Sequence, residues 1–362
     1  MEDFYGMNHH KPSEAEKGRG AAGNPKNRFQ LQEYAVEWPE AVDEWEQART
    51  DTRLFEEEGR SILNKVDSPD VPGLWSLNPY QGCEHGCIYC YARPTHEYWG
   101  FSAGKDFESR IVVKRRAPEL LEHIFSGRSW KPAVISLSGN TDCYQPIERR
   151  LQITRRILEV CRKFRNPVSI ITKNALVLRD LDILQDMAAD RLVMVYLSVG
   201  SVDEELRRKL EPRTSTYAER LRTLQVLGEA GIPTGVMCAP VIPGLNDAHM
   251  YEVLRQASHA GVKQAGYTMV RLNGPVAPLF QEWLQIHYPE RAAKVWNAIA
   301  ECHSGSVSDH RFGTRMRGEG PLADMVSRQF AVFTRQFGLN REKITLNTEA
   351  FIRQQPGQLR LF

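Results

Sequence analysis

PIERRLQITRRILEVCRKFRNPVSIIT, residues 146–172, carries both signals on which the fold turns. In its first part Ile147, Leu151, Ile157, Leu158, Cys161 and Phe164 share one stripe at helical spacing, and Pro146 is placed to open the helix. The pattern predicts one helix over 147–164. Its last five residues, VSIIT, form a short β-branched run of the kind that suits a strand buried on both faces.

The same alternation extends in both directions. Strand candidates are LWSLNPY (74–80), AVISLSG (133–139), VSIIT (168–172), LVMVYLSV (192–199), TGVMCAPV (234–241) and AGYTMVRL (265–272). Helical patterns separate them. In TYAERLRTLQVLGEAG (216–231), Thr216 and Glu219 form a capping box, Leu221, Leu224 and Leu227 make the stripe, and Gly231 closes the helix in the left-handed region. Six strand–helix units over roughly 200 residues fall short of the eight in a closed barrel. The expected class is α/β, an open, partial (β/α)6 TIM-like barrel; a doubly wound sheet is the alternative.

Composition sets the outer limits. The chain has 362 residues, 41% hydrophobic and 25% charged, enough for one large domain with appendages. We read residues 1–33 as a flexible basic arm, 34–73 as a lead-in, 74–290 as the barrel and 291–362 as a C-terminal extension. No apolar run reaches membrane-spanning length and the N-terminus lacks a signal-peptide core, so a cytoplasmic protein without membrane contact is expected. The net charge of +2 says little about partners. Seven cysteines, three of them within eight residues, argue against a disulfide framework and for thiolate ligands.

Ligands collect at the carboxyl ends of parallel strands. GCEHGCIYC (82–90) sits there, after the first strand, with Gly82 and Gly86 preceding Cys83 and Cys87, and Cys90 completing the set. Thiolates bind soft or borderline metals. Structural zinc wants four closed ligands, and no second cysteine pair exists, although His96 or Cys143 could be recruited. Three thiolates in a tight glycine loop can wrap an iron–sulfur cubane and leave one iron open, and zinc is the other option. The other strands end in polar loops: SGNTDCYQP, TKN, SVGS, PVIPGLND and RLNGP. Several strands therefore deliver polar groups to one rim.

The spacing Cys83-x3-Cys87-x2-Cys90, with Tyr89 before the last cysteine and the whole placed after the first strand of a β/α series, resembles the radical S-adenosylmethionine superfamily. The resemblance implies an enzyme whose three cysteines hold a 4Fe-4S cluster and whose fourth iron is chelated by S-adenosyl-L-methionine. It implies reductive cleavage to a 5′-deoxyadenosyl radical that takes hydrogen from a substrate. An external one-electron reductant of flavodoxin or ferredoxin type follows. It also implies cofactor contacts: Tyr89 near the adenine, Ser138, Asn140 and Thr141 near the amino or carboxylate group, Lys173 and Arg213 toward the carboxylate, Ser198 near the ribose, and the backbone of Cys238–Pro240 toward the adenine.

Within the superfamily the likeness runs toward the spore photoproduct lyase group, on Thr141, Asp142 and Glu148, on Ile171–Lys173 and on Ser198. That group needs a cysteine hydrogen donor just before the Thr/Ser-Asp pair. Here Gly139 stands at that place, and Cys143 is the candidate catalytic donor, expected to face the same cavity. Cys161, Cys238 and Cys302 form no second triplet, which argues against auxiliary clusters. With Arg311, Arg315 and Arg317 among the glycines of HRFGTRMRGEGPLADMV (310–326), the likeness makes nucleic acid the leading substrate class, in DNA repair or RNA modification. The basic face of the helix over 147–164 is read as solvated, because outer helices lie far from a barrel's mouth. The alternative is a cluster- or zinc-stabilised nucleic-acid-binding protein without turnover.

Overall fold

The computed structural model describes residues 18–25, 27, 29, 52–59, 61–70 and 75–353. Among the described residues ten strands run in chain order: β1 (Arg53–Glu56), β2 (Leu63–Lys65), β3 (Trp75–Leu77), β4 (Tyr80–Gln81), β5 (Arg110–Val113), β6 (Ile135–Leu137), β7 (Val168–Thr172), β8 (Val193–Ser198), β9 (Thr234–Val241) and β10 (Gln264–Met269). All six strand candidates fall on members of one sheet.

That sheet has the order β10-β9-β8-β7-β6-β3-β2. From β3 to β10 every neighbouring pair is parallel, and β2 adds an antiparallel edge. The order follows the chain without reversal, whereas a doubly wound sheet reverses at a switch point. The fold is the open, partial barrel. Val168 and Ile170 of β7 share a buried layer with Ile157, Leu158, Cys161 and Phe164. Inside the barrel, Gly235 and Gly266 leave room for larger neighbours: a Cβ at 235 would overlap the Tyr196 ring, and one at 266 would meet the Met237 sulfur at 2.7 Å.

Three local findings depart from the sequence reading. The helix expected over 147–164 is two pieces, Glu148–Leu151 and Ile153–Phe164, broken at Gln152 with φ +53°. The break serves a cap: the buried Glu148 carboxylate accepts from the Ile153 and Thr154 N–H groups at 3.0 and 3.1 Å, satisfying orphan donors of the second helix. A second, small sheet, β1-β5-β4, escaped notice because its strands are short and β1 is mostly exposed.

The third departure concerns the N-terminal arm, of which residues 18–25, 27 and 29 are described. Gly20 and Ala21 N–H groups donate to the buried Glu108 carboxylate at 3.0 and 2.9 Å, and the Lys105 N–H donates to the Gly23 carbonyl. This part of the arm is docked rather than free. The rest of it, and most of the lead-in, lie outside the described residues.

The C-terminal extension supplies a helix, Pro321–Gln336, which packs Phe330 on Tyr267 of β10 with ring centroids 4.7 Å apart. Ahead of that helix the chain runs along the outer edge of β10. Met269 N–H donates to the Met316 carbonyl and Leu272 N–H to that of Val307. Among the described residues no helix is long and apolar enough to cross a membrane.

Candidate active site

The cysteine loop leaves β4 through a turn that only glycine fits. Gly82 (φ +79°) and Gly86 (φ +68°) both adopt left-handed backbone, and a Cβ on Gly82 would meet the Phe107 carbonyl at 3.0 Å. Two buried ion pairs hold the loop. Arg93 pairs with Glu108 at 2.6 Å, while its Nε donates to the Cys87 carbonyl and its Nη1 to those of Ala103 and Gly104. Both partners are fully buried, so the pair persists because its remaining donors and acceptors are satisfied. On the other side, Arg220 pairs with Glu211, and the Tyr89 hydroxyl donates to the same carboxylate.

Asp142 ties three elements together. Its carboxylate faces His85 Nδ1 of the cysteine loop at 3.3 Å and accepts from the Thr172 hydroxyl and the Lys173 N–H of β7's end. Burial alone would raise this carboxyl; the His85 imidazole and the two bonds hold it down at about 2. Asp142 is therefore ionised at all ordinary pH.

Beyond these supports lies a cavity of about 480 Å³ at the carboxyl ends of the barrel strands. Cys83, Cys87 and Cys90 line it together with Tyr89, Ser138, Asn140, Thr141, Lys173 and Ser198. Met237, Ala239 and Pro240 of β9 form another part of the wall, whereas Cys238 turns into the core.

The lining residues differ in whether they are already engaged. Ser138 Oγ accepts from the Cys143 N–H, Asn140 Nδ2 donates to Gln81 and Thr95, and the Thr141 hydroxyl donates to the Tyr80 carbonyl. Lys173 is different. Its ammonium has no ion-pair or hydrogen-bond partner among the described residues and stands 6.0 Å from the centre of the Tyr89 ring. Burial disfavours its charge, but Cys87, Glu211 and Asp142 outweigh that and raise its pKa.

Two expected site residues lie elsewhere. Cys143 does not line the cavity. It is fully buried in the main core, because its N–H and carbonyl are fixed by Ser138 and Thr154 and its side chain is turned away from the mouth. Arg213 is also outside the cavity, drawn to Glu84 at 3.4 Å. The cationic groups that sequence reasoning did not place in the site are Arg271, just past β10, and Arg315 from the C-terminal extension. A charged residue ending the sixth apolar run was the available signal for Arg271.

The donor set fits an iron–sulfur cluster. Burial pushes the Cys83 thiol well up and that of Cys87 to about 12, and the sulfurs of Cys87 and Cys90 add to the burden on Cys83. Three thiolates here need a multiply cationic group to hold them ionised. Among the described residues no three His, Cys, Asp or Glu side chains are gathered closely enough for a single metal ion. Nor does a fourth protein ligand approach. His85 is held by Asp142 and Asn174, and His96 is sealed between the Phe101 and Phe107 rings, outside the cavity.

Comparison with known proteins follows the same line. The family model described as the Radical SAM superfamily matches residues 77–257. The uncharacterized protein Rv2578c of Mycobacterium tuberculosis is 36% identical over 238 residues, 65% of this chain and 70% of its own. Uncharacterized protein MJ0683 of Methanocaldococcus jannaschii is 31% identical over 65% of this chain and 85% of its own. Among solved structures, spore photoproduct lyase complexed with dinucleoside spore photoproduct superposes with a TM-score of 0.56 at 15% identity, covering 79% of this chain and 80% of that one. That likeness is one of fold. Members of the matched family carry out radical chemistry dependent on S-adenosylmethionine. With the family model matching half of its length and the cysteine loop at the mouth of the barrel, this chain belongs to the radical SAM superfamily and is an enzyme.

Proposed function

We propose that Cys83, Cys87 and Cys90 hold a 4Fe-4S cluster, that S-adenosyl-L-methionine occupies the cavity beside it, and that the substrate is a nucleic acid. When bound, cluster and cofactor supply a 5′-deoxyadenosyl radical that abstracts hydrogen, using an electron from a flavodoxin- or ferredoxin-type donor. The observation that carries the reading is the meeting of the three thiols in one cavity with the Lys173 ammonium, which has no ion-pair or hydrogen-bond partner among the described residues.

Each wall residue then has a task. Lys173 anchors the cofactor carboxylate by a charge-assisted bond. Tyr89, its hydroxyl fixed on Glu211, offers a flat face for the adenine, and Ser198 and the β9 backbone meet the nucleoside. Ser138, Asn140 and Thr141, engaged within the protein, act by holding the loop's shape. Enclosure by the barrel keeps water from the reacting groups. Cys143, sealed in the core, is not assigned the hydrogen-donor role.

Nucleic acid as substrate draws support from aromatic and guanidinium groups at the cavity, among them the half-exposed Tyr91. The test is isotope transfer. Anaerobically reconstituted protein with dithionite, S-adenosyl-L-methionine and deuterated DNA or RNA oligonucleotides is expected to place deuterium in 5′-deoxyadenosine. If 5′-deoxyadenosine forms without deuterium from either pool, the substrate class is wrong while the cofactor assignment stands.

A further inference from the structure

Arg271 lines the cavity and, among the described residues, has neither an ion-pair nor a hydrogen-bond partner for its guanidinium. Arg271 is only partly buried, so its five donors are open to a ligand that enters the cavity. Burial and the neighbouring Arg315 both press against its charge. Arg315 lines the same cavity but is pre-set. Its Nε pairs with Asp70 at 2.6 Å, its Nη2 donates to the Ser68 hydroxyl at 2.8 Å, and its guanidinium lies 4.3 Å from the centre of the Phe312 ring. The Gly313 N–H also binds Asp70, so this carboxylate is fully committed to holding the extension in place. Two guanidinium groups and one carboxylate leave a net charge of one, suited to a single monoanion.

We propose that Arg271 and Arg315 form an oxyanion subsite that takes one phosphodiester of the substrate; this rests on the assignment of nucleic acid as substrate class. Two flanking aromatics favour a nucleic acid over an acidic peptide. Tyr91, 50% exposed, lines the cavity with its hydroxyl on the Gly139 carbonyl, and Phe312, 54% exposed, lies under Arg315. Bases stack on such surfaces while a neighbouring arginine takes the phosphate. Several cations of the other basic clusters are already paired within the protein. On the helix Ile153–Phe164, Arg155, Arg156, Arg162 and Lys163 all pair with acids of adjacent helices, and Arg311 pairs with Asp309 and Glu319.

The experiment measures anisotropy of fluorescein-labelled decathymidylate with reconstituted protein across about 50 to 200 mM salt, where phosphate contacts register as the slope of affinity against salt. Arg271→Gln is expected to weaken binding roughly tenfold or more and to lower the slope by about one. Arg271→Lys should keep the slope, which separates lost charge from a disturbed fold, and Arg315→Gln should weaken binding as well. If wild type binds and Arg271→Gln matches it in affinity and slope, the subsite is wrong while the substrate class survives. If wild type binds neither decathymidylate nor decauridylate, or binds a labelled glutamate-rich decapeptide instead in an Arg271-dependent way, the substrate class itself falls and takes the phosphodiester assignment with it.

Discussion

Lys173 is a cation held in the barrel with no ion-pair partner among the described residues, and that is what makes it informative. A lysine paired within the protein would be a structural brace; an unpaired one facing three thiols is a place for an anion. Lys173→Met should therefore raise the dissociation constant for S-adenosyl-L-methionine by roughly tenfold to a hundredfold, the worth of a charge-assisted bond. Equilibrium dialysis on reconstituted protein reads this directly, and an unchanged constant would remove Lys173 from the cofactor site. His96 makes a different prediction at the same scale. Among the described residues neither of its buried ring nitrogens has a hydrogen-bond partner, and burial takes its pKa from 6.5 to about 4. The unfolded chain binds that proton between these values and the folded one does not, so stability is full above pH 6.5 and falls as pH drops toward 4. Between pH 6.5 and 5 this one group costs roughly 2 kcal/mol. His96→Phe should shed that part of the acid loss in urea unfolding at the two pH values, and a variant as acid-sensitive as wild type would contradict it. Gly139 and Cys143 complete the residue picture. A Cβ at 139 would meet Ser76 Oγ at 2.5 Å, so a side chain at this place needs Ser76 to move. Cys143 offers no substitute from the core.

At the scale of elements, the six barrel strands were legible because each is a compact apolar or β-branched run, from the almost wholly buried β8 to the half-buried β10. The broken helix was not legible. Its stripe is continuous in the sequence, but Glu148 takes the Ile153 and Thr154 N–H groups, and that long-range-looking choice of a local cap turns Gln152 left-handed. The described part of the arm departs from expectation for a similar reason. Its glycines look like freedom, yet Gly20 is packed so tightly that a Cβ would lie 1.8 Å from the Gly86 carbonyl of the cysteine loop. Gly20→Val should lift residues 18–25 off that loop. Limited proteolysis at Arg19 is expected to speed up, and the reconstituted cluster to bleach faster in air. Equal cleavage and bleaching rates would show that the contact does not hold the arm.

For the whole molecule, an open barrel has two edges, and the chain joins them at the mouth. Asp70 follows the edge strand β2, Arg315 belongs to the segment running along β10, and their ion pair spans the gap. Asp70→Asn should accelerate hydrogen exchange at the amides of Gly313 and Met269 with little change elsewhere, and unchanged exchange would deny the pair this role. This closure explains why the site was only partly readable beforehand. The three cysteines, Tyr89 and Lys173 sit at strand ends, where sequence order predicts position. Arg315 reaches the cavity from far along the chain, and Arg213, although nearer in sequence to the expected place, is captured by Glu84. The central claim is that the cysteine loop and cavity together cleave S-adenosyl-L-methionine. Its most direct test is chromatography of 5′-deoxyadenosine from anaerobically reconstituted, dithionite-reduced protein, beside a variant with Cys83, Cys87 and Cys90 all changed to alanine. The wild type is predicted to form 5′-deoxyadenosine and the variant, still folded by circular dichroism, to form none. A wild type that binds its cluster and yields no 5′-deoxyadenosine would contradict the account.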